Sequence, residues 1–260
     1  MQHTLLGSTD ILLSRLGLGT VKFGRNTSVK YPDAFDLPSD KEARKLLDYA
    51  AELGINFLDT APAYGISEER LGKLLSNNRQ KWVISTKVGE EFENNVSTFN
   101  FTKEHTRLSI ERSLKRLRTD YLDMVLVHSN GDDKNLLENT ELVPTLRSIK
   151  KAGLIRAFGF SSKTIEGGKL AVDKTDVVMV TYNLLETVER EVIAYAHQHN
   201  KGVLIKKGLA SGHLEKFNTK NPIQTAMEFI FEPKGVTAVV VGSINPQHLQ
   251  DNVRAVNNIS

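Results

Sequence analysis

The sequence predicts a closed parallel (β/α)8 barrel of the TIM type, spanning 1–260 as one domain, and three observations carry that expectation. Eight short apolar, β-rich runs alternate with eight segments whose apolar residues recur at helical spacing. The alternation fills about 240 residues, the usual length of such a barrel. The competing open, doubly wound sheet announces a dinucleotide site by G-x-G-x-x-G after its first strand, and that signal fails here. The first strand runs into "GLGTVKFG", where Gly17 and Gly19 are followed by a third glycine only at 24, two positions late. Nor is this a phosphate loop, because Arg25 and Asn26 follow Gly24 where Lys and Ser or Thr are required.

Along the chain, "TLLGSTDILLSR" has turn residues at 7–10 between two apolar runs, which predicts a short N-terminal β-hairpin closing the barrel floor. The predicted barrel strands are 16–20, 55–59, 82–86, 122–128, 155–160, 177–181, 202–206 and 236–242. The predicted helices are 39–53, 67–77, 103–118, 139–152, 163–173, 187–199, 221–231 and 246–257. Ser39, Thr102 and Asn245 before Pro246 stand where helix N-caps belong, and Gly54, Gly153 and Gly202 where helices stop.

Composition narrows the function classes. The 260 residues are 40% hydrophobic and 25% charged, ordinary for a soluble globular protein, with a net charge of only +3. The densest basic stretch, "RSLKRLR" at 112–118, has the spacing of a wet helix face, so no nucleic-acid partner is expected. Without cysteine there is no disulfide, thiol nucleophile or iron–sulfur cluster. The N-terminus lacks the order of a signal peptide and no apolar run approaches the roughly 20 residues of a membrane span, so a cytoplasmic protein is expected. The histidines of "AHQHN" at 196–200 sit two apart on a helix and point away from each other, and no metal site is expected.

In such a barrel the chemistry lies at the C-terminal ends of the strands. Strand two ends in Asp59 with Tyr64 on its loop, strand three in Lys87, strand four in His128, strand five in Ser161 and Ser162, and strand seven in Lys206 and Lys207. Each alone has a structural explanation, but three consecutive apolar strands rarely all finish in ionisable groups. Together they make a coherent acid. A free phenol has a pKa near 10, too high for efficient exchange at neutral pH. An ammonium at roughly 4 Å attracts the phenolate by about 4 kcal/mol at an effective dielectric near 20, worth up to about three pKa units before desolvation. Asp59 is then expected to keep Lys87 charged, Lys87 to tune Tyr64, and a neutral His128 to orient a carbonyl oxygen.

The segments "LGLGTVKFG", "INFLDTAPAYG", "SEERLGKLL", "VISTKVG", "SLKRLRTDYLDMVLVH", "LRSIKKAGLIRAFGFSS" and "GSINPQHLQDNV" resemble, in order and spacing, the signatures of the aldo-keto reductase superfamily over nearly the whole chain. The resemblance implies carbonyl reduction by NADPH, with NADH as the alternative, Tyr64 as proton donor and Asp59, Lys87 and His128 around it. It implies a cofactor lying along Gly19, Thr20 and Val21, Ser161, Ser162 and Met179, Lys206, Lys207, Leu209 and Ser211, and Gly242, Ser243, Asn245, His248 and Asn252. The helix start at Asn245–Pro246 independently suits a phosphate.

Departures from the family pattern carry expectations of their own. Ser161, Ser162 and Met179 replace the usual serine–asparagine pair and glutamine that hold the carboxamide, so that anchor is expected to be weaker or different. Lys206 stands where an aromatic residue normally stacks on the nicotinamide, which predicts a bias toward the reduced cofactor. Gly242, Ile244 and His248 occupy positions where many relatives bind the 2'-phosphate with Arg or Lys, so the NADP preference is modest. The stop at Ser260 and the short loop "SNGDDKNLLENT" suggest an open mouth, and neither substrate nor oligomeric state follows. Two alternatives remain: a Schiff-base aldolase using Lys206 or Lys87, and a cofactor-binding regulatory subunit.

Overall fold

A computed structural model, describing residues 1–259, gives the architecture. The chain opens with an antiparallel hairpin of β1 (His3–Leu5) and β2 (Leu12–Ser14). Eight parallel strands then close a barrel in chain order: β3 (Leu16–Gly19), β4 (Phe57–Asp59), β5 (Val83–Val88), β8 (Leu122–His128), β9 (Ile155–Ser161), β10 (Val177–Thr181), β11 (Gly202–Lys206) and β12 (Ala238–Val241). Closure comes from β12 against β3, where Val239 pairs with Leu16 and Val241 with Leu18.

The helices α1 (Asp40–Glu52), α2 (Ser67–Leu75), α3 (Lys103–Leu117), α5 (Leu142–Lys151), α6 (Ile165–Lys174), α7 (Arg190–Gln198), α8 (Pro222–Phe231) and α9 (Pro246–Asn257) follow the predicted segments to within three residues at each end. Their starts have physical causes. Ser39 and Glu42 form a reciprocal capping box, Thr102 accepts from the His105 N–H, and the Asn245 side chain accepts from the N–H groups of Gln247 and His248. Gly54 and Gly153 end helices at φ near 80°, as expected. Gly202 does not: it is the first residue of β11, and the turn after α7 is made by Asn200 at φ 53°.

The floor is closed from below. Leu6, Ile11 and Leu13 of the hairpin pack with Phe57, Val83, Ala157, Val177 and Ala238 from the starts of barrel strands. Burying each large apolar side chain contributes about 1.5–3 kcal/mol. Asn56 ties the hairpin to β4, its Oδ1 accepting from Ser14 N at 2.7 Å.

Two elements were not expected. After β5, β6 (Glu90–Glu93) and β7 (Val96–Phe99) form a hairpin whose two turn residues, Asn94 and Asn95, both adopt positive φ. In the loop after His128, α4 (Asp133–Glu138) is held by Asp133, whose Oδ2 accepts from the Lys163 and Thr164 backbone at 2.8 and 2.9 Å. That loop is therefore built rather than bare.

Candidate active site

Strand register assembles the site. Asp59, the last residue of β4, pairs with Gly19 and Ser85; Lys87 lies beside Leu126, and His128, the last residue of β8, beside Ser161. Parallel strands in this register deliver four polar side chains to one end of the barrel. Tyr64 closes a 3-10 turn, Pro62–Tyr64, in which proline supplies the first residue.

Asp59 and Lys87 are almost fully buried, and Lys87 Nζ donates to both Asp59 carboxylate oxygens at 2.8 Å and to the Thr60 carbonyl at 2.9 Å. Burial alone would lower the ammonium's pKa. The Asp59 carboxylate, by its charge and by the hydrogen bonds it accepts, opposes that, and the net shift is upward, so Lys87 stays charged. Its nitrogen lies 4.9 Å from the centre of the Tyr64 ring.

The phenol departs from expectation. Lys87 does pull its pKa down, but burial pushes it up by more, and Asp59 and Glu90 push the same way, so Tyr64 ends above its ordinary value. The net result is a protonated hydroxyl, a donor rather than a phenolate. The His128 ring stands edge-on to Tyr64 with centroids 6.5 Å apart. Burial lowers the His128 pKa, Glu90 opposes it, and Lys87 and Lys206 add to the lowering.

Asp59, Tyr64, Lys87 and His128 all line a single cavity of about 500 Å³. So do Gly19, Val21, Ser161, Met179, Lys206 and Lys207. Leu209, Ser211, Gly242, Ser243, His248 and Asn252 complete the expected residues on its wall. Three others are turned to structural work. Thr20 Oγ1 donates to the Asp59 carbonyl and bonds Ser67 Oγ; Ser162 Oγ donates to Glu189; Asn245 caps α9. Ser162 still acts through its backbone, since its carbonyl accepts from Lys206 Nζ at 2.6 Å, while Ser161 Oγ accepts from the same nitrogen at 2.9 Å. Burial drives the Lys206 pKa down to about 8, with the Glu189 charge opposing.

Sequence reasoning missed three side chains here. Tyr31 and Lys22 line the cavity, with Lys22 Nζ 4.0 Å above the Tyr31 ring, and Glu90 sits against His128. The unusual length of the segment between β3 and α1, with its "KYPDAF" cluster, was the available signal for Tyr31.

The cavity suits a nucleotide. The Asn252 side-chain oxygen, on its wall, is buried without a hydrogen-bond partner, an acceptor awaiting a donor. Gly242 leaves room that a side chain would take, since a Cβ there would lie 2.2 Å from the Tyr31 hydroxyl. Among the described residues no cluster of His, Asp and Glu could hold a metal, and no helix is long and apolar enough to cross a membrane.

Comparison with known proteins identifies the family. Residues 15–226 match the sequence profile of the Aldo/keto reductase family. A Bacillus subtilis protein, the aldo-keto reductase YhdN, is 31% identical over 82% of this chain and 64% of its own length. An Escherichia coli relative, NADH-specific methylglyoxal reductase, is 25% identical over 99% of this chain and 94% of its own. A solved structure assigned to the aldo-keto reductases, from Pseudomonas aeruginosa, is 52% identical, with a TM-score of 0.90 over 98% of this chain and 93% of its own. The chain belongs to the Aldo/keto reductase family and is an oxidoreductase.

Proposed function

We propose that the protein reduces a small aldehyde or ketone with NADPH, or alternatively NADH, and that Tyr64 hands the proton to the carbonyl oxygen. The observation that carries this is the convergence of a charged Lys87, its Asp59 counter-ion, a protonated Tyr64 and His128 on one cavity wall. A bound nicotinamide would supply the hydride. The protein's own residues do the rest. Asp59 holds the ammonium of Lys87 in place, and that positive charge favours loss of the Tyr64 proton as negative charge develops on the substrate oxygen. His128 fixes the oxygen beside the phenol.

For the cofactor, Asn252 and His248 suit the adenosine portion, Lys207 and Ser211 the pyrophosphate, and Ser161 and Lys206 the carboxamide side. Lys206 stands in for the missing amide anchors: its ammonium already donates to Ser161 and is poised to donate to a carbonyl. No arginine lines the cavity among the described residues, which supports only a modest preference for NADP. A relative named as an NADH-specific methylglyoxal reductase supports small aldehydes as the first substrates to try, and supports testing NADH beside NADPH. We place this activity in the cytoplasm.

A Schiff-base aldolase using Lys206 or Lys87 has less behind it: Lys87 is held protonated by three acceptors and offers no lone pair, and Lys206, charged below about pH 8, donates to Ser161 Oγ and the Ser162 carbonyl. Turnover of a panel of small aldehydes, followed by loss of NAD(P)H absorbance, tests the proposal. Tyr64→Phe should lower kcat by about 100- to 10,000-fold with little change in cofactor affinity. Unchanged turnover would remove Tyr64 as the acid.

A further inference from the structure

We propose that Glu90 is a positioning residue for the reaction: its carboxylate, carried on the β6–β7 hairpin, fixes the His128 proton on Nδ1 and leaves Nε2 to meet the substrate oxygen. The inference rests on the reading that His128 faces that oxygen.

Its geometry is unusual for this barrel. His128 ends a barrel strand, whereas Glu90 begins a hairpin inserted between β5 and α3, so the hairpin brings a carboxylate to a ring it does not adjoin in sequence. Glu90 Oε2 lies 2.7 Å from His128 Nδ1. The approach is out of line for a regular hydrogen bond, but the distance is decisive. A bare ring nitrogen and a carboxylate oxygen both present lone pairs and repel at 2.7 Å; only an N–H is tolerated there. Nδ1 therefore carries the proton.

The carboxylate is held as an anion. Ser97 Oγ, across the hairpin, donates to Glu90 Oε1 at 2.6 Å, and Arg25, lying on the Phe92 ring at 3.3 Å, adds positive charge. Burial would raise the Glu90 pKa; His128, Ser97 and Arg25 outweigh it and bring it down to about 2. His128 is also faced by Tyr64, by Lys87 on β5 and by Lys206 on β11, and both ammonium groups oppose a second proton on the ring. The Glu90 carboxylate works against them.

The tautomer has a chemical consequence. In the neutral ring, with Nδ1 protonated, Nε2 is an acceptor and suits an alcohol hydroxyl. It donates to a carbonyl oxygen only when the ring is an imidazolium. Glu90 thus governs both which nitrogen is bare and how readily the ring takes its second proton.

The experiment compares the full-length protein with Glu90→Gln, both labelled with 15N-histidine, and identifies the His128 signals by their loss in His128→Asn. Wild-type protein should show a protonated Nδ1 and a bare Nε2 in the neutral ring. Glu90→Gln should mix or reverse the tautomers and lower the His128 pKa by about one unit. In the same variant the alkaline limb of kcat/KM for propionaldehyde reduction, where the ring loses its second proton, should move about one unit lower, with about a tenfold loss at pH 7. KM for NADPH should change less than about twofold, since Glu90 is not on the cofactor path. A wild-type ring protonated at Nε2 overturns the proposal, and so does a Glu90→Gln spectrum and pH profile identical to wild type. If Glu90→Gln does not fold, the wild-type spectrum alone decides. Failure of the reductase reading looks different: Tyr64→Phe would then turn over normally, while the histidine spectra would still report Glu90.

Discussion

Lys87 Nζ stands 2.8 Å from each carboxylate oxygen of Asp59, and the two side chains are 2% and 3% exposed. Neither charge has water to fall back on. Lys87→Met or Asp59→Asn alone leaves its partner buried and unpaired, and each should cost about 3–5 kcal/mol of stability. The double substitution Asp59→Asn/Lys87→Met should recover much of that stability and none of the turnover. Urea unfolding measured beside steady-state assays separates these outcomes; single variants as stable as wild type would show that the pair is not buried as described.

Lys206, with its pKa lowered to about 8, supplies a pH-dependent choice between cofactor states. Below about pH 8 it is charged and opposes the cationic ring of oxidised cofactor; as pH rises through about 8 that opposition fades. The ratio of the Kd for NADP+ to that for NADPH should therefore fall several-fold between pH 7 and pH 9, read by fluorescence titration. Lys206→Met should flatten the dependence. Equal dissociation constants at pH 7 would argue against a charged Lys206 near the nicotinamide.

Asn252 separates stability from binding. Its buried side-chain oxygen has no partner, so Asn252→Leu should leave the apoprotein as stable as wild type or more so. The same substitution should weaken NADPH about tenfold, the effect of losing one hydrogen bond to a nucleotide. Calorimetric melting and titration of one protein sample test both halves; a destabilised apoprotein with unchanged affinity would contradict the assignment.

Gly242 sets how closely Tyr31 covers the cavity. Gly242→Ala places a methyl group 2.2 Å from the Tyr31 hydroxyl and must displace that ring. NADPH should leave several-fold faster in stopped-flow chase experiments, with the fold intact. Combining it with Tyr31→Phe, which removes the colliding oxygen, should restore much of the slow release.

Strands and helices were readable because each obeys a local rule: Val177–Thr181 is an unbroken β-branched and apolar run, and Ser39 with Glu42 writes a capping box in four residues. Asp59, Lys87 and His128 were readable because ionisable residues at the ends of buried strands break that rule. The β6–β7 hairpin was not, since "EEFENNVSTF" has neither a clean apolar alternation nor an Asn-Gly turn, and its strands are exposed except where they serve the site. Glu90 was hidden with it. The sign of the Tyr64 shift also lay beyond sequence, because it depends on how burial balances against Lys87, and burial is a property of the folded cavity. Ser162 and Thr20 have the right residue types at the right positions, but their hydroxyls are turned to Glu189 and to Ser67 by backbone direction that spacing does not encode.

The seam between β12 and β3 joins Val239 to Leu16, residues more than two hundred positions apart in the chain. At roughly 5–20 residues per second a ribosome takes tens of seconds to travel between them. Throughout that interval Leu6, Ile11 and Leu13 have no floor to seal, and Leu16 and Leu18 have an open edge beside them. The nascent chain must keep these leucines out of trouble until β12 emerges, which makes slow closure of the barrel the expected last step of this domain's folding.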